Sequence, residues 1–175
     1  PETPFNIIYS SGTTGRAKGI VHSHAMRYRQ AARSLFGIGA SSTMLLATPL
    51  YSNTTLMPLL AALFHGGRVI LVPKFDAEAY LDIAEAERVT HTMLVPVQYQ
   101  RILAAESFAS RDLSAFKVKQ STGAPLAPAV KRAWCRDAST SLTTMSLSGV
   151  RPMVLTPLNE IRSRPPRSSP GTSKI

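Results

Sequence analysis

The sequence contains a single cysteine, Cys135, in 175 residues. One cysteine can form neither a disulfide within the chain nor a multi-cysteine metal site, which agrees with a reducing, cytoplasmic environment. The start of the sequence has no charged segment followed by an apolar stretch, and His, Gly and Arg residues at 65–68 interrupt the longest apolar stretches. We therefore expect neither a signal peptide nor a transmembrane segment.

The end of the chain lacks aromatic residues. Positions 135–175 contain no Phe, Tyr or Trp, and Ser and Thr supply 13 of the 37 residues from 139 onward. Such a composition buries too little apolar surface to offset the entropy lost on ordering. We predict a folded core at 1–136 and a disordered, basic, Pro- and Ser-rich tail at 137–175, with a short β-like piece at 153–156.

The positive charge is concentrated in the same part of the chain. The net charge of +10 divides into 9 minus 7, or +2, for residues 1–110, and 11 minus 3, or +8, for residues 111–175. A basic segment at 131–175 leaves open a non-enzymatic module that binds nucleic acid or an anionic membrane. Because no aromatic residues are interleaved with the basic ones of the tail, we expect no nucleic-acid partner.

Before residue 136, apolar strand patterns alternate with amphipathic helix patterns. Continuous apolar strands favour an α/β fold in which alternating β-α units form a mostly parallel sheet flanked by helices. Ser23 and Asp76 are the predicted caps of the first and third helices. In such sheets, ligands bind beyond the carboxyl ends of the strands. The predicted strands span 5–9, 43–48, 68–72, 90–95 and 116–122, and the predicted helices span 24–36, 55–64, 77–88, 97–105 and 127–135.

The loop that follows the first strand has the residue types most suggestive of a specific chemical function. Residues 10–19 combine four hydroxyls, three glycines and Lys18. Glycines let the backbone approach an anion, and hydroxyls and a lysine can bind phosphate oxygens. The pattern is not a Walker loop, because Lys18 lies between Ala17 and Gly19. We predict a phosphate-binding loop, with an ordinary surface loop as the structural alternative.

The sequence Tyr-Ser-Ser-Gly-Thr-Thr-Gly-Arg-Ala-Lys-Gly at 9–19 resembles the signature loop of the adenylate-forming superfamily, which includes acyl-CoA synthetases, luciferases and the adenylation domains of peptide synthetases. It departs from the family pattern at Ala17, where proline is usual. The resemblance covers about 4–136 and implies part of the large N-terminal domain of such an enzyme. It also implies ATP and Mg²⁺ as cofactors and coenzyme A as co-substrate.

The resemblance also assigns roles to residues of the loop. Thr13, Thr14 and Lys18 are implied to be catalytic, since they would hold the β- and γ-phosphates while a carboxylate attacks the α-phosphate. Thr13 is also implied as a ligand of Mg²⁺. The other implied nucleotide-binding residues of the loop are Ser11, Gly12 and Gly15.

Two later turns resemble family regions as well. Gly123, Ala124 and Pro125 resemble the turn that lies against the adenine ring, although this sequence also makes a plain turn. Tyr51 and Asn53 resemble the lining of the acyl pocket. Asn53 could instead cap the following helix, because Asx residues commonly do so.

Several family features are missing. Residues 139–149 contain no acidic residue where the family has Tyr-Gly-x-Thr-Glu, and the later ribose-binding Asp and the small C-terminal domain are absent. We predict a fragment of an ATP-dependent acyl-CoA synthetase for a fatty acid, inactive alone, with residues after 136 out of frame. None of the four histidines is predicted to be catalytic, and Asp82 and Glu85 are expected on a solvated helix face.

Overall fold

Five short strands of the computed structural model form a parallel sheet, in the order 68–71, 43–46, 91–94, 118–121 and 141–144. The structure describes residues 1–10, 17–33, 36–134 and 141–144. The expectation of a mostly parallel α/β sheet flanked by helices is confirmed. The strands are β1 (Pro4–Ser10), β2 (Lys18–Ser23), β3 (Thr43–Leu46), β4 (Arg68–Leu71), β5 (His91–Leu94), β6 (Val118–Ser121) and β7 (Ser141–Thr144). The helices are α1 (His24–Ala32), α2 (Asn53–Phe64), α3 (Ala77–Ala86), α4 (Pro96–Leu103) and α5 (Pro128–Trp134), with a 3₁₀ turn at Phe108–Ser110.

Polar caps define where three of the helices begin. The side chains of Ser23 and Asp76 accept hydrogen bonds from backbone N–H groups in the first turns of α1 and α3, which confirms both predicted caps. Ser52 does the same for α2. The first helix is shorter than the predicted range 24–36, since α1 spans His24–Ala32.

The first strand does not join the parallel sheet, contrary to the expectation. β1 pairs antiparallel with β2, and the two form a separate two-stranded sheet. The strand at 18–23 was not predicted, because it follows the loop directly and no sequence signal marks the boundary between them. Parallel pairing needs a crossover of a dozen or more residues, and only seven residues separate β1 from β2, so the chain can only return antiparallel.

The strand β7 lies within the range predicted to be a tail. It pairs parallel with β6, and Ser141 is the register partner of Val118. The predicted β-like piece at 153–156 lies outside the described residues. The division of the chain at 136 and the out-of-frame origin of the residues after it stay predictions.

Apolar residues cover both faces of the five-stranded sheet. Leu45 and Leu46 are both fully buried and belong to two different apolar clusters, because neighbouring residues of a strand face opposite sides. The larger cluster contains residues of α3, α4 and α5, and the smaller one contains Ala61 and Ala62 of α2. Full burial of one leucine contributes about 1.5–3 kcal/mol. Within the described ranges, no helix combines the length and apolar character needed to cross a bilayer.

Candidate functional site

The predicted phosphate loop connects the two strands of the β1–β2 hairpin. Ser10 at the end of β1 is the register partner of Lys18 at the start of β2, so the ends of the loop are held side by side. Lys18 is exposed. Gly19 lies close to Ile7 of β1, because a Cβ at Gly19 would lie 3.1 Å from Cγ2 of Ile7, tighter than an ordinary contact. The remaining predicted residues of the loop, Ser11, Gly12, Thr13, Thr14 and Gly15, lie outside the described residues.

The predicted adenine-side turn follows β6 directly. Gly123 has a φ of +88°, in the left-handed region that favours glycine. Ala124 and Pro125 are exposed, so the backbone of this turn is open to solvent. This geometry fits a backbone edge that receives a flat ring, and it also fits a plain turn. The role of the three residues stays a prediction.

The predicted acyl-side residues lie at the start of α2. Tyr51 is 83% exposed. Ser52 is the helix cap, since its Oγ accepts a hydrogen bond of 3.2 Å from the Thr54 N–H, and the alternative that Asn53 caps α2 is therefore wrong. The Asn53 side chain instead accepts a hydrogen bond of 2.8 Å from Nη1 of Arg27.

The turns at 51–53 and 123–125 lie at the same edge of the sheet. They follow β3 and β6, which are parallel and separated only by β5. Two strand spacings correspond to about 10 Å. The structure therefore brings the predicted acyl-side and adenine-side residues together, while Lys18 lies on the hairpin, outside this sheet.

A buried glutamine, Gln98, fixes the edge between these turns. Its Nε2 donates to the Ala47 carbonyl oxygen at 2.9 Å, and its Oε1 accepts from the Val95 N–H at 3.1 Å. These bonds join the segments that follow β3 and β5. We did not predict this residue, although a glutamine three positions after the residue preceding a helix is a known capping signal.

A buried arginine, Arg27, joins the hairpin to α2. Arg27 of α1 is only 3% exposed, whereas its neighbour Tyr28 is 63% exposed. Its Nε donates to Oδ1 of Asn6 at 3.1 Å, and its Nη1 donates to Oε1 of Gln30 at 3.0 Å as well as to Asn53. Burial lowers the pKa of this guanidinium. Nothing in the local sequence pattern marks Arg27 as buried, because two of the acceptors come from distant positions.

Two of the histidines, His91 and His65, occupy structural positions. His91 is buried, with Nδ1 2.7 Å from Oγ1 of Thr90 and Nε2 3.1 Å from the Phe36 carbonyl oxygen, so both of its ring nitrogens have partners. Nε2 of His65 lies 3.0 Å from the Ala31 carbonyl oxygen. The part of the chain that the structure describes holds no group of three or more His, Cys, Asp and Glu residues suited to a metal ion.

The acidic face of α3 differs from the expectation. Asp82 and Glu85 form ion pairs with Arg111, whose side chain is 24% exposed, rather than facing only solvent. The Asp112 N–H and the Arg111 side chain also lower the pKa of Glu85. This cluster ties α3 to the segment after α4 and contains none of the predicted site residues.

Comparison with known proteins places this geometry in a family. Residues 1–145 match the family model described as AMP-binding enzyme. The chain belongs to this family. Among its relatives, the indoleacetate–CoA ligase of Aromatoleum aromaticum is 38% identical over 134 residues, which cover 73% of this chain and 26% of the ligase. The chain thus spans about a quarter of the length of the curated relatives that it matches.

Solved structures of AMP-binding enzymes share the fold. The N-terminal domain of FACL13 from Mycobacterium tuberculosis superimposes with a TM-score of 0.72 at 24% identity, covering 85% of this chain and 39% of that chain. ATP-bound MatB from Rhodopseudomonas palustris has a TM-score of 0.67 at 31% identity, covering 77% of this chain and 26% of that chain. The N-terminal-domain expectation is therefore confirmed.

Proposed function

We propose that this chain is part of an ATP-dependent acid–thiol ligase of the AMP-binding family. The reaction joins a carboxylate to ATP, which gives an acyl-adenylate and pyrophosphate, and the acyl group then passes to the thiol of coenzyme A. The observation that carries the proposal is the family match over residues 1–145. An ATP-bound relative and a relative named as a CoA ligase support the choice of ATP and coenzyme A.

The loop at 11–18 is proposed to hold the phosphates of ATP. Thr13, Thr14 and Lys18 bind the β- and γ-phosphates and stabilise negative charge as the carboxylate attacks the α-phosphate. The hydroxyl of Thr13 contributes to binding Mg²⁺, whose preferred ligands are oxygen atoms, most of them supplied by the phosphates and water. Backbone N–H groups of Ser11, Gly12 and Gly15 complete the phosphate contacts. The exposed ammonium of Lys18 supports this role.

The shared sheet edge is proposed to bind the two ends of the acyl-adenylate. Gly123, Ala124 and Pro125 receive the adenine ring, because the backbone there is open and has no side chain at Gly123. Tyr51 and Asn53 line the acid pocket at the same edge of the sheet, after β3. The sequence points to a fatty acid, and the relative named for indoleacetate widens the class to carboxylic acids with an apolar body.

The chain by itself is proposed to be inactive. No acidic residue lies at 139–149, where the family glutamate that binds Mg²⁺ would be expected. Exchange of radiolabelled pyrophosphate into ATP, with and without octanoate, measures the adenylation step directly. Robust acid-dependent exchange by this chain would show that the inactivity proposal is wrong while supporting the reaction.

Nucleotide binding provides the direct test of the site. ATP added to ¹⁵N-labelled protein should shift the amide signals of Lys18, Gly19 and Gly123. Lys18→Met should weaken ATP binding about tenfold or more because it removes a charge-assisted contact. Lys131→Met, which removes an exposed lysine of α5, is the matched control. Equal weakening in both variants, or no shift at these amides, would contradict the proposed site.

A further inference from the structure

The guanidinium of Arg27 has unused donors in a buried position. An arginine carries five N–H groups, of which Arg27 directs one from Nε to Asn6 and two from Nη1 to Gln30 and Asn53. Both N–H groups of Nη2 are left over, and among the described residues this buried atom has no hydrogen-bond partner. Buried donors without an acceptor are costly and uncommon in native proteins, which indicates that an acceptor binds at this atom.

The charge of Arg27 is also uncompensated within the described residues. All three of its acceptors are neutral carboxamide oxygens, and the salt bridges that the structure describes include none to this side chain. A buried cation is normally paired with an anion or coordinated by several strong acceptors. The missing acceptor at this position is therefore best supplied by a negatively charged group.

A second polar atom without a partner occurs nearby. Nδ1 of His22 is buried and has no hydrogen-bond partner among the described residues. Burial, together with the charge of Arg27, lowers the pKa of His22, although a hydrogen bond with the Ile20 backbone opposes this. Arg27 thus offers two unused N–H donors, and none of its described acceptors is an anion.

Arg27 contacts the proposed acid pocket through Asn53. Its Nη1 donates a hydrogen bond to the side chain of half-buried Asn53, which is one of the two residues proposed to line that pocket. A carboxylate that replaces the Asn53 oxygen at Nη1 can bind Nη1 and Nη2 together, in the bidentate geometry preferred by arginine.

We propose that the acid activated at this site is a dicarboxylic acid, whose second carboxylate is received by Arg27. This inference rests on the proposed function, because the first carboxylate is the one that attacks ATP. Arg27 then determines substrate specificity: it favours acids with a distal negative charge and leaves a plain fatty acid without its anchor.

The experiment compares two acids that differ only at the distal end, octanedioate and octanoate, by calorimetric titration of the full chain in the presence of ATP. Octanedioate should bind about tenfold or more tightly than octanoate, since a hydrogen bond to a charged group is worth that much. In Arg27→Met the ratio should fall to about one. Arg29→Met, which removes an exposed arginine of the same helix, should leave it unchanged.

A measurement on the unaltered chain does not depend on whether the Arg27 variant folds. Octanedioate should shift the Nε–H signal of Arg27 and the ring signals of His22, whereas octanoate should leave them in place. An equal affinity for the two acids, no binding of either, or a preference that survives in Arg27→Met would overturn the proposal.

Titration with ATP, followed at the Lys18 amide, distinguishes a failure of the proposed ligase function from a failure of the proposed role of Arg27. ATP binding without a preference for octanedioate would contradict the role of Arg27 and leave the ligase proposal standing. An Arg27-dependent preference without ATP binding would support a carboxylate site at Arg27 and contradict the proposed function.

A hydroxyl in place of the distal carboxylate, as in ω-hydroxyoctanoate, should give no more than a small part of the preference if charge is the cause.

Discussion

Nη1 of Arg27 donates to Oδ1 of Asn53 across 2.8 Å, and this bond connects α1 to the first turn of α2. The same guanidinium reaches Asn6 on β1, so a single side chain joins the hairpin to the helix that begins at Asn53. A two-stranded hairpin is marginally stable by itself. The position of the hairpin relative to α2 therefore depends on Arg27.

Replacing Arg27 by methionine should destabilise the fold. The change leaves the carboxamide oxygens of Asn6, Gln30 and Asn53 without their donor, and we expect a loss of about 3 kcal/mol in the free energy of unfolding. Urea unfolding followed by circular dichroism measures it. Arg27→Lys should cost less, because it keeps a donor for part of these bonds.

The matched control for Arg27 is Arg29, two positions further along the same helix. Its side chain is 69% exposed and its ion pair with Glu2 is long, at 3.8 Å. Arg29→Met should change the free energy of unfolding by less than about 0.5 kcal/mol. Similar losses for the two variants would contradict a special role for Arg27.

Gly123→Ala should be destabilising because of backbone conformation. At a φ of +88° an alanine is strained, at a cost of about 1–3 kcal/mol. Space is not the cause, since the added Cβ would lie 3.5 Å from Cγ1 of Val95, an ordinary contact. Thermal and urea unfolding check the value.

Gly39→Ala provides the comparison for Gly123. A Cβ at Gly39 meets nothing within 4 Å, and its φ is not in the left-handed region. This variant should match the unaltered chain or slightly exceed its stability, because alanine restricts the unfolded chain. A Gly123→Ala variant as stable as Gly39→Ala would show that the turn tolerates a side chain.

Gln98→Met should loosen the edge on which the two predicted turns lie. The change leaves the Ala47 carbonyl and the Val95 N–H without their buried partner, and we expect a loss of about 1–3 kcal/mol. Hydrogen exchange of the Val95 amide should accelerate. Gln100→Met, an exposed position of the same helix, should change neither quantity, and a change of equal size there would contradict the role of Gln98.

The features that could be predicted from the sequence are local ones. Ser23 and Asp76 cap their helices through residues three positions away, so the pattern that marks them is contained in a few consecutive residues. The apolar runs that form the parallel strands are equally local. Short windows of sequence are therefore enough to predict these elements, and with them the α/β fold.

The remaining features depend on distant parts of the chain. The burial of Arg27 requires acceptors 21 and 26 positions away, and no periodicity in α1 marks it. The pairing of β1 with β2 likewise depends on the short connection between them rather than on either strand. The composition of the loop at 10–19 predicted phosphate binding, whereas the individual roles of Thr13 and Thr14 rest on the resemblance and stay predictions, since both residues lie outside the described residues.

His91 should make the stability of the fold depend on pH. Its ring lies between Thr90 and the Phe36 carbonyl, and burial, with a smaller contribution from the charge of Lys117, lowers its pKa below 6.5, although the Phe36 hydrogen bond opposes this. In the unfolded chain the pKa returns to 6.5, so the unfolded state binds the proton more readily. Burial lowers the pKa of His22 in the same way.

The stabilising effect of neutral His91 is therefore present above pH 6.5, and it is lost as the pH falls from 6.5 through the folded-state pKa. His91→Gln should reduce this pH dependence, because glutamine can hydrogen-bond to the Phe36 carbonyl without titrating, and the double variant with His22→Gln should reduce it further. Urea midpoints between pH 5 and pH 8 measure the slope. If the His91→Gln variant had the same pH dependence of the urea midpoint as the unaltered chain, His91 would titrate alike in the folded and unfolded states, and its burial would have no electrostatic cost.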